Sequence, residues 1–315
     1  MLYMNDLQNF IEQFLSHCRH EKNLSPHSLK AYSIDLQQFH EFSRMNFSIE
    51  KVAELDKHQI RNFFIHFSQQ YKPKTIKRKV ATLKVFINYL EYEDVILVNP
   101  FRKLRLRTGE GEQLPKTIEF KNIKKLFTYL YAKKEKPVSQ SNSVYKILLR
   151  DIAVLELLFA SGMRVAELSH LKLENINLSK GDVLIKGKGN RERIIPLPHN
   201  EVITLLNTYY QLYKEEISKE NYFFVNRFGN RLSEQSIRLM IRKYTKILKI
   251  PQHITPHMFR HSVATLLLED GVDIRYIQNI LGHSSINTTQ IYTQVNETPK
   301  RRILKLKHPR RKLHF

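Results

Sequence analysis

Residues 255–295 concentrate side chains suited to holding a phosphate and attacking it. The segment reads TPHMFRHSVATLLLEDGVDIRYIQNILGHSSINTTQIYTQV. His257 and Arg260 follow a Thr255-Pro256 helix start, and their spacing predicts both on one side of a first helical turn. A Gly282-His283 step comes next, then Tyr292 in a short polar stretch. Cutting a phosphodiester without a metal needs three things: an in-line nucleophile, fixed donors for the non-bridging oxygens and a proton for the leaving alkoxide. Arginine suits the second task, because its planar guanidinium grips phosphate through two donors. Arg164 and Arg260 are the candidate clamp. His257 and His283 are candidate donors or proton carriers, Lys188 is a candidate acid, and Tyr292 is the candidate nucleophile. A free phenol with pKa about 10 is mostly neutral at pH 7, so Tyr292 needs activation by cationic neighbours.

Each of these residues also has an ordinary reading. Tyr292 is one of fifteen tyrosines and would serve as a core residue. His283 after Gly282 suits a helix C-cap, and Lys188 suits a turn. His253, His257 and His261 recur at every fourth position, as in a zinc-binding helix. No HExxH glutamate and no third ligand accompany them, so no metal is expected. Only the combination outweighs these readings.

The formal charge is +22 with pI near 9.9, which points to a polyanionic partner, nucleic acid first and an anionic membrane second. No apolar run approaches the roughly 20 residues of a membrane span, and the first residues lack the pattern of a secretion signal. The single cysteine, Cys18, excludes an intrachain disulfide and any zinc module built on cysteine pairs, so a cytoplasmic location is expected. Nine glycines include no glycine-rich phosphate loop, and no cofactor is expected.

The surrounding elements must deliver these residues to one place. Residues 1–103 read as four helices. Leu7, Phe10, Ile11, Phe14 and Leu15 give the stripe of the first, and Ser25-Pro26 starts the second. A third is expected over 57–69. The fourth buries Ile76, Val80, Leu83, Ile87 and Leu90, while Lys74, Lys77, Arg78, Lys79 and Lys84 form a candidate DNA-binding face. A cationic start opposes the helix dipole, a conflict that docked phosphates would relieve. Residues 104–116 read as a linker. Residues 117–298 form a second, mainly helical domain, with helices over 119–134 and 201–218 and a long apolar helix ended by Gly162. The strands 182–186 and 191–197 make a hairpin around Gly187-Lys188-Gly189-Asn190, with Arg191 beside its tip, and a weaker strand pair is expected over 223–231. Residues 299–315 are a basic tail with three destinations open: a helix on a neighbour, a DNA-touching arm, or disorder.

The pieces SGMRVAEL, GKGNRERIIPLP, TPHMFRH, LGHSS and TTQIYTQV, in that order, resemble the signature set of the tyrosine recombinases, or phage integrases, nearest the bacterial Xer and integrase branch. The resemblance covers nearly the whole chain. It implies a SAM-like core-binding domain for the four-helix unit, and the family's mainly α catalytic fold with small β-hairpins for the second domain. It also implies roles. Arg164, Lys188, His257, Arg260, His283 and Tyr292 would be catalytic, with Glu167 in support. Lys188 would protonate the 5′ oxygen, and Tyr292 would form a 3′-phosphotyrosyl link. The implied partners are double-stranded DNA with an inverted-repeat core site, a homotetramer with two protomers per site, and a DNA translocase or accessory factor; the tail would dock on a neighbouring protomer. Metal and ATP would not be required. Departures occur at Phe259, and at Val263 and Leu266 in the segment after the histidine-arginine box. They leave chromosome-dimer resolution and element mobility both open. Two other readings are a non-catalytic DNA-binding protein on the same scaffold and a relaxing enzyme of the type IB topoisomerase kind.

Overall fold

A computed structural model describes residues 6–48, 51–106, 116–135, 143–186, 192–282 and 297–315. The chain divides into two compact units, Met1–Gln113 and Leu114–Phe315.

The first unit packs helices α1 (Leu7–His20), α2 (Pro26–Phe47), α3 (Lys57–Gln70) and α4 (Pro73–Tyr92) around an aromatic core. The sequence shows where three of them start. Asp6 accepts from the Gln8 N–H at 3.0 Å, Ser25 from Ser28 at 3.3 Å, and Asp56 caps α3 reciprocally with Gln59. Each such cap is worth roughly 0.5–2 kcal/mol. The core is stiffened by edge-to-face pairs such as Phe39–Phe63 (centroids 5.1 Å apart, 89° between planes), about 0.5–1.5 kcal/mol each beyond area burial. Helix α4 differs: its N-cap is Lys72, which supplies no side-chain acceptor, and Pro73 opens the first turn.

In the second unit the central element is α6 (Ser143–Ser161), on which residues 151–161 are all buried. Around it lie α5 (Phe120–Lys134), the short α7 (Val165–Ser169), α8 (Asn200–Leu212), α10 (Glu234–Ile247), α11 (Pro256–Glu269) and α12 (Ile274–Leu281). Two carboxylates on α6 are buried and paired. Asp151 takes Arg150 and the Tyr244 hydroxyl (2.8 Å), and Glu156 takes the Tyr131 hydroxyl (2.8 Å) and Arg310. The start of the unit is pinned to α11, because the Ile118 N–H donates to Ser262 Oγ at 2.7 Å.

The hairpin is β2 (Asp182–Lys186) against β3 (Glu192–Pro196), antiparallel, with Val183 opposite Ile195 and Ile185 opposite Arg193. A strand β1 (Ile176–Asn177) adds to β2, which the sequence did not announce. Two expectations need correcting. Residues 201–218 are not one helix: Tyr213, at φ −119° and ψ 18°, separates α8 from α9 (Lys214–Glu220), whose first turn carries Glu215 and Glu216 as a helix start prefers. Residues 223–231 form no ladder but only the single bridge Val225–Arg231, with Gly229 at φ +83° in its turn.

The tail is an ordered part of its own unit in this single chain, not a disordered segment. It forms α13 (Glu297–Lys307) and a 3-10 turn, Pro309–Lys312, packed on its own unit, with Leu304, His308, Arg310 and Leu313 buried. Its cations are engaged inside the chain: Lys300 on the Ile194 carbonyl (2.6 Å), Arg301 on Asp182 (2.6 Å) and Lys312 on Asp270 (2.8 Å). The apolar residues between the basic ones supply the buried face. No described helix is long and apolar enough to cross a membrane.

Candidate active site

The site is assembled where α6 ends. Gly162 turns the chain at φ +59°, and a Cβ there would sit 2.5 Å from Leu281 Cδ2. Glycine therefore serves both the left-handed turn and the close approach of α12. Two residues on, Arg164 occupies the N-cap position of α7, and its side chain is about half exposed.

Arg260 reaches the same corner from α11. It is 2 % exposed, and its Nη1 donates to the Gly162 carbonyl at 3.0 Å. Its Nη2 is buried with no partner among the described residues. Burial, then Arg164 and Arg193, push this guanidinium down to about 10 against the opposing pull of Glu167, so it stays charged at neutral pH. A buried guanidinium with an idle donor is costly unless something anionic arrives. His257, one turn earlier, is exposed, its ring 4.3 Å from that of His261. Burial, His257 and Arg260 lower the His261 pKa.

Glu167 ties the corner together. Its Oε2 accepts the Arg164 N–H at 2.7 Å and Oε1 accepts Arg164 Nη1 at 2.9 Å. Arg193 on β3 adds a bidentate pair at 3.0 and 2.8 Å. Burial alone would raise the Glu167 carboxyl. Hydrogen bonds from Arg193 and from the Arg164 backbone outweigh it and hold the group below its ordinary range.

Arg164, Glu167 and Arg260 thus come together, with His257 one turn away on the helix that carries Arg260. Lys188, Arg191, His283 and Tyr292 lie outside the described residues. Arg193 is the residue that the motif reading missed. Its signal was its register: it stands opposite Ile185 on the core-facing side of the hairpin, where an arginine needs a buried partner. Among the described residues no group of three or more His, Cys, Asp or Glu could hold a metal ion.

In the first unit the candidate DNA-binding face keeps Lys74, Lys77, Arg78 and Lys84 exposed. Lys79 does not belong with them. It is 3 % exposed, its ammonium on Asp35 (3.0 Å) and on Gln38, and over the rings of Phe67 and Tyr71. Position 79 falls on the buried stripe beside Ile76 and Leu83, so the cation turns inward to meet a buried carboxylate. Arg78 also pairs with Asp35.

Comparison with known proteins decides the family. Residues 117–298 match the phage integrase family, and residues 11–94 match the phage integrase N-terminal SAM-like domain. The chain belongs to the phage integrase family. It is a tyrosine recombinase, an enzyme that breaks and rejoins DNA. This recombinase is 43 % identical over 312 residues to a tyrosine recombinase of Agathobacter rectalis, covering 99 % of this chain and 100 % of that one. It is 33 % identical over 314 residues to tyrosine recombinase XerC of Oceanobacillus iheyensis, covering 98 % of each, and similarly close to XerD of Listeria innocua (33 % over 312 residues, 98 % and 100 %). In fold the recombinase resembles XerH site-specific recombinase bound to a palindromic difH substrate, at TM-score 0.70 and 21 % identity, covering 94 % of this chain and 84 % of that one. A lambda integrase tetramer bound to a Holliday junction gives TM-score 0.65 at 16 % identity, covering 92 % and 81 %.

Proposed function

We propose that the chain is a site-specific recombinase that cleaves duplex DNA through Tyr292, leaving a 3′-phosphotyrosyl link, and exchanges strands through a Holliday junction. The observation that carries this reading is Arg260, a buried guanidinium next to Arg164 with a donor that has no partner among the described residues. Such a pair suits a phosphate whose non-bridging oxygens gain charge as the phosphorus is attacked. His257 and His283 add donors to those oxygens. The phenol of Tyr292 gives up its proton as it bonds to phosphorus, and Lys188 protonates the departing 5′ oxygen. The covalent link conserves the energy of the broken bond, so rejoining needs neither ATP nor metal.

The working assembly in this reading is a homotetramer, two protomers on each inverted-repeat core site, acting in the cytoplasm and switched by a DNA translocase or accessory factor. In that tetramer the tail changes hosts: its proposed seat there is a neighbouring protomer, while in the single chain it occupies its own unit. The task is chromosome or plasmid dimer resolution, or integration and excision of a mobile element. Exposed Lys74, Lys77, Arg78 and Lys84, with Arg191, would contact backbone phosphates. The test is a suicide duplex nicked beside the cleavage position. Wild type should trap it covalently, in EDTA as well as without, and Tyr292→Phe should trap none. Equal trapping by the Phe variant would remove Tyr292 from its role.

A further inference from the structure

We infer that Arg193 is a positioning residue for strand cleavage, acting through Glu167 to seat the Arg164 guanidinium; this rests on the cleavage reading above. Glu167 has room for about four hydrogen bonds. It makes four: two to Arg193, one to the Arg164 N–H and one to Arg164 Nη1. The carboxylate is therefore saturated and fixed from two sides. The Glu167 side chain is 8 % exposed and that of Arg193 11 %, so water does not substitute readily for either partner.

The division of labour follows from the charges. Two guanidiniums, those of Arg164 and Arg193, share one carboxylate, whose charge Arg260 feels without bonding it. Arg193 spends both terminal nitrogens on Glu167, whereas Arg164 uses only Nη1 among the described residues and leaves the rest of its fork to face a ligand. Arg193 is itself fenced in. A Cβ on Gly282, which stands at φ +70°, would lie 2.9 Å from Arg193 Cδ and 3.1 Å from Nε. The glycine leaves room for the guanidinium to run beneath the end of α12, and β3 holds its backbone by pairing Arg193 with Ile185. Remove Arg193, and burial of Glu167 is no longer opposed from that side. The carboxyl pKa rises, two of its four tethers go, and Arg164 loses its fixed seat.

The test compares Arg193→Met and Arg193→Lys with wild type in single-turnover cleavage of the nicked duplex. Arg193→Met should cleave roughly 10–100-fold more slowly with DNA affinity changed less than about threefold. The acid limb of its rate profile should move up in pH, since Glu167 then protonates more easily. Lysine, which cannot pair bidentately, should restore only part of the rate. Combined with Glu167→Gln, Arg193→Met should add little further loss. Rates within twofold of wild type, or fully additive losses in the double variant, would overturn the inference. Carbon-13 NMR titration of the Glu167 carboxyl supplies a readout that needs no cleavage. A carboxyl pKa unmoved by Arg193→Met refutes the inference even if wild type were to trap no DNA, a result that would count against the cleavage reading by itself. Should the Met variant fail to fold, Arg193→Lys carries both measurements.

Discussion

Two arginines in the second unit are equally buried and stand in opposite electrostatic positions. Arg310 and Arg260 are each 2 % exposed. Arg310 Nε donates to both oxygens of Glu156 at 2.9 and 2.8 Å, Nη1 to the Leu313 carbonyl and Nη2 to Glu201. Burial opposes its charge, but the Glu156 carboxylate more than compensates and holds it above the ordinary arginine value. Among the described residues Arg260 has one carbonyl, an idle nitrogen and two cationic neighbours, and is pushed down to about 10. The first arginine completes a fold. The second is kept short of partners, a state that makes sense where the missing partner is a substrate.

The comparison can be broken most forcefully at Arg310. Arg310→Met leaves Glu156 buried without its cation, and urea unfolding should show a loss of about 3–5 kcal/mol. Arg260→Met should do the reverse. Its stability should stay within about 1 kcal/mol of wild type, while cleavage of the nicked duplex falls about 10²–10³-fold. Equal destabilisation by the two substitutions would erase the contrast.

A third measurement concerns His308, the neighbour whose Nδ1 accepts from the Arg310 N–H at 3.0 Å. Burial, then His199 and Arg310, push its pKa down from 6.5 to about 3. The folded state therefore binds fewer protons than the unfolded chain between those values. The contribution of this group to stability is whole above pH 6.5 and declines as pH falls toward 3, at up to about 1.4 kcal/mol per pH unit. His308→Asn keeps an acceptor without titrating there, so its unfolding free energy should fall less steeply between pH 6.5 and 4.5. Identical slopes would mean that the ring is protonated in the fold.

The smallest effect lies in the first unit, where Lys79 and Lys77 repeat the contrast between a satisfied and an unsatisfied cation. Lys77→Ala should reduce the slope of log affinity against log salt by about 0.9, the value of one phosphate contact. Lys79→Ala should instead lower thermal stability and leave that slope unchanged. A changed slope would return Lys79 to the DNA face.

What could be read from the sequence was local. Thr255-Pro256 marks the start of α11, and the three-residue step from His257 to Arg260 places both at its beginning. The stripes of α1 through α4 and the two strands of the hairpin were legible for the same reason: helix and strand periods act over a few residues. Partners distant in the chain were not legible. Arg193 meets Glu167 across 26 positions, Lys79 meets Asp35 across 44, and Arg310 meets Glu156 across 154. All three arrangements place a cation in a buried or nearly buried position, where a carboxylate decides the outcome. Reading them by composition alone made Lys79 a DNA contact and left the tail undecided.

The distance between Glu156 and Arg310 also sets an order of events during synthesis. The carboxylate is made 154 residues before its guanidinium, which at about 5–20 residues per second is an interval of roughly 8–30 s. Throughout that interval α6, the helix around which the second unit packs, carries a carboxyl at its centre whose cation does not yet exist. The growing chain can keep that group hydrated by leaving the core loose, or bury it protonated, but it cannot yet form the final ion pair. The second unit is therefore locked late: the arginine that settles its central helix is added long after the helix itself.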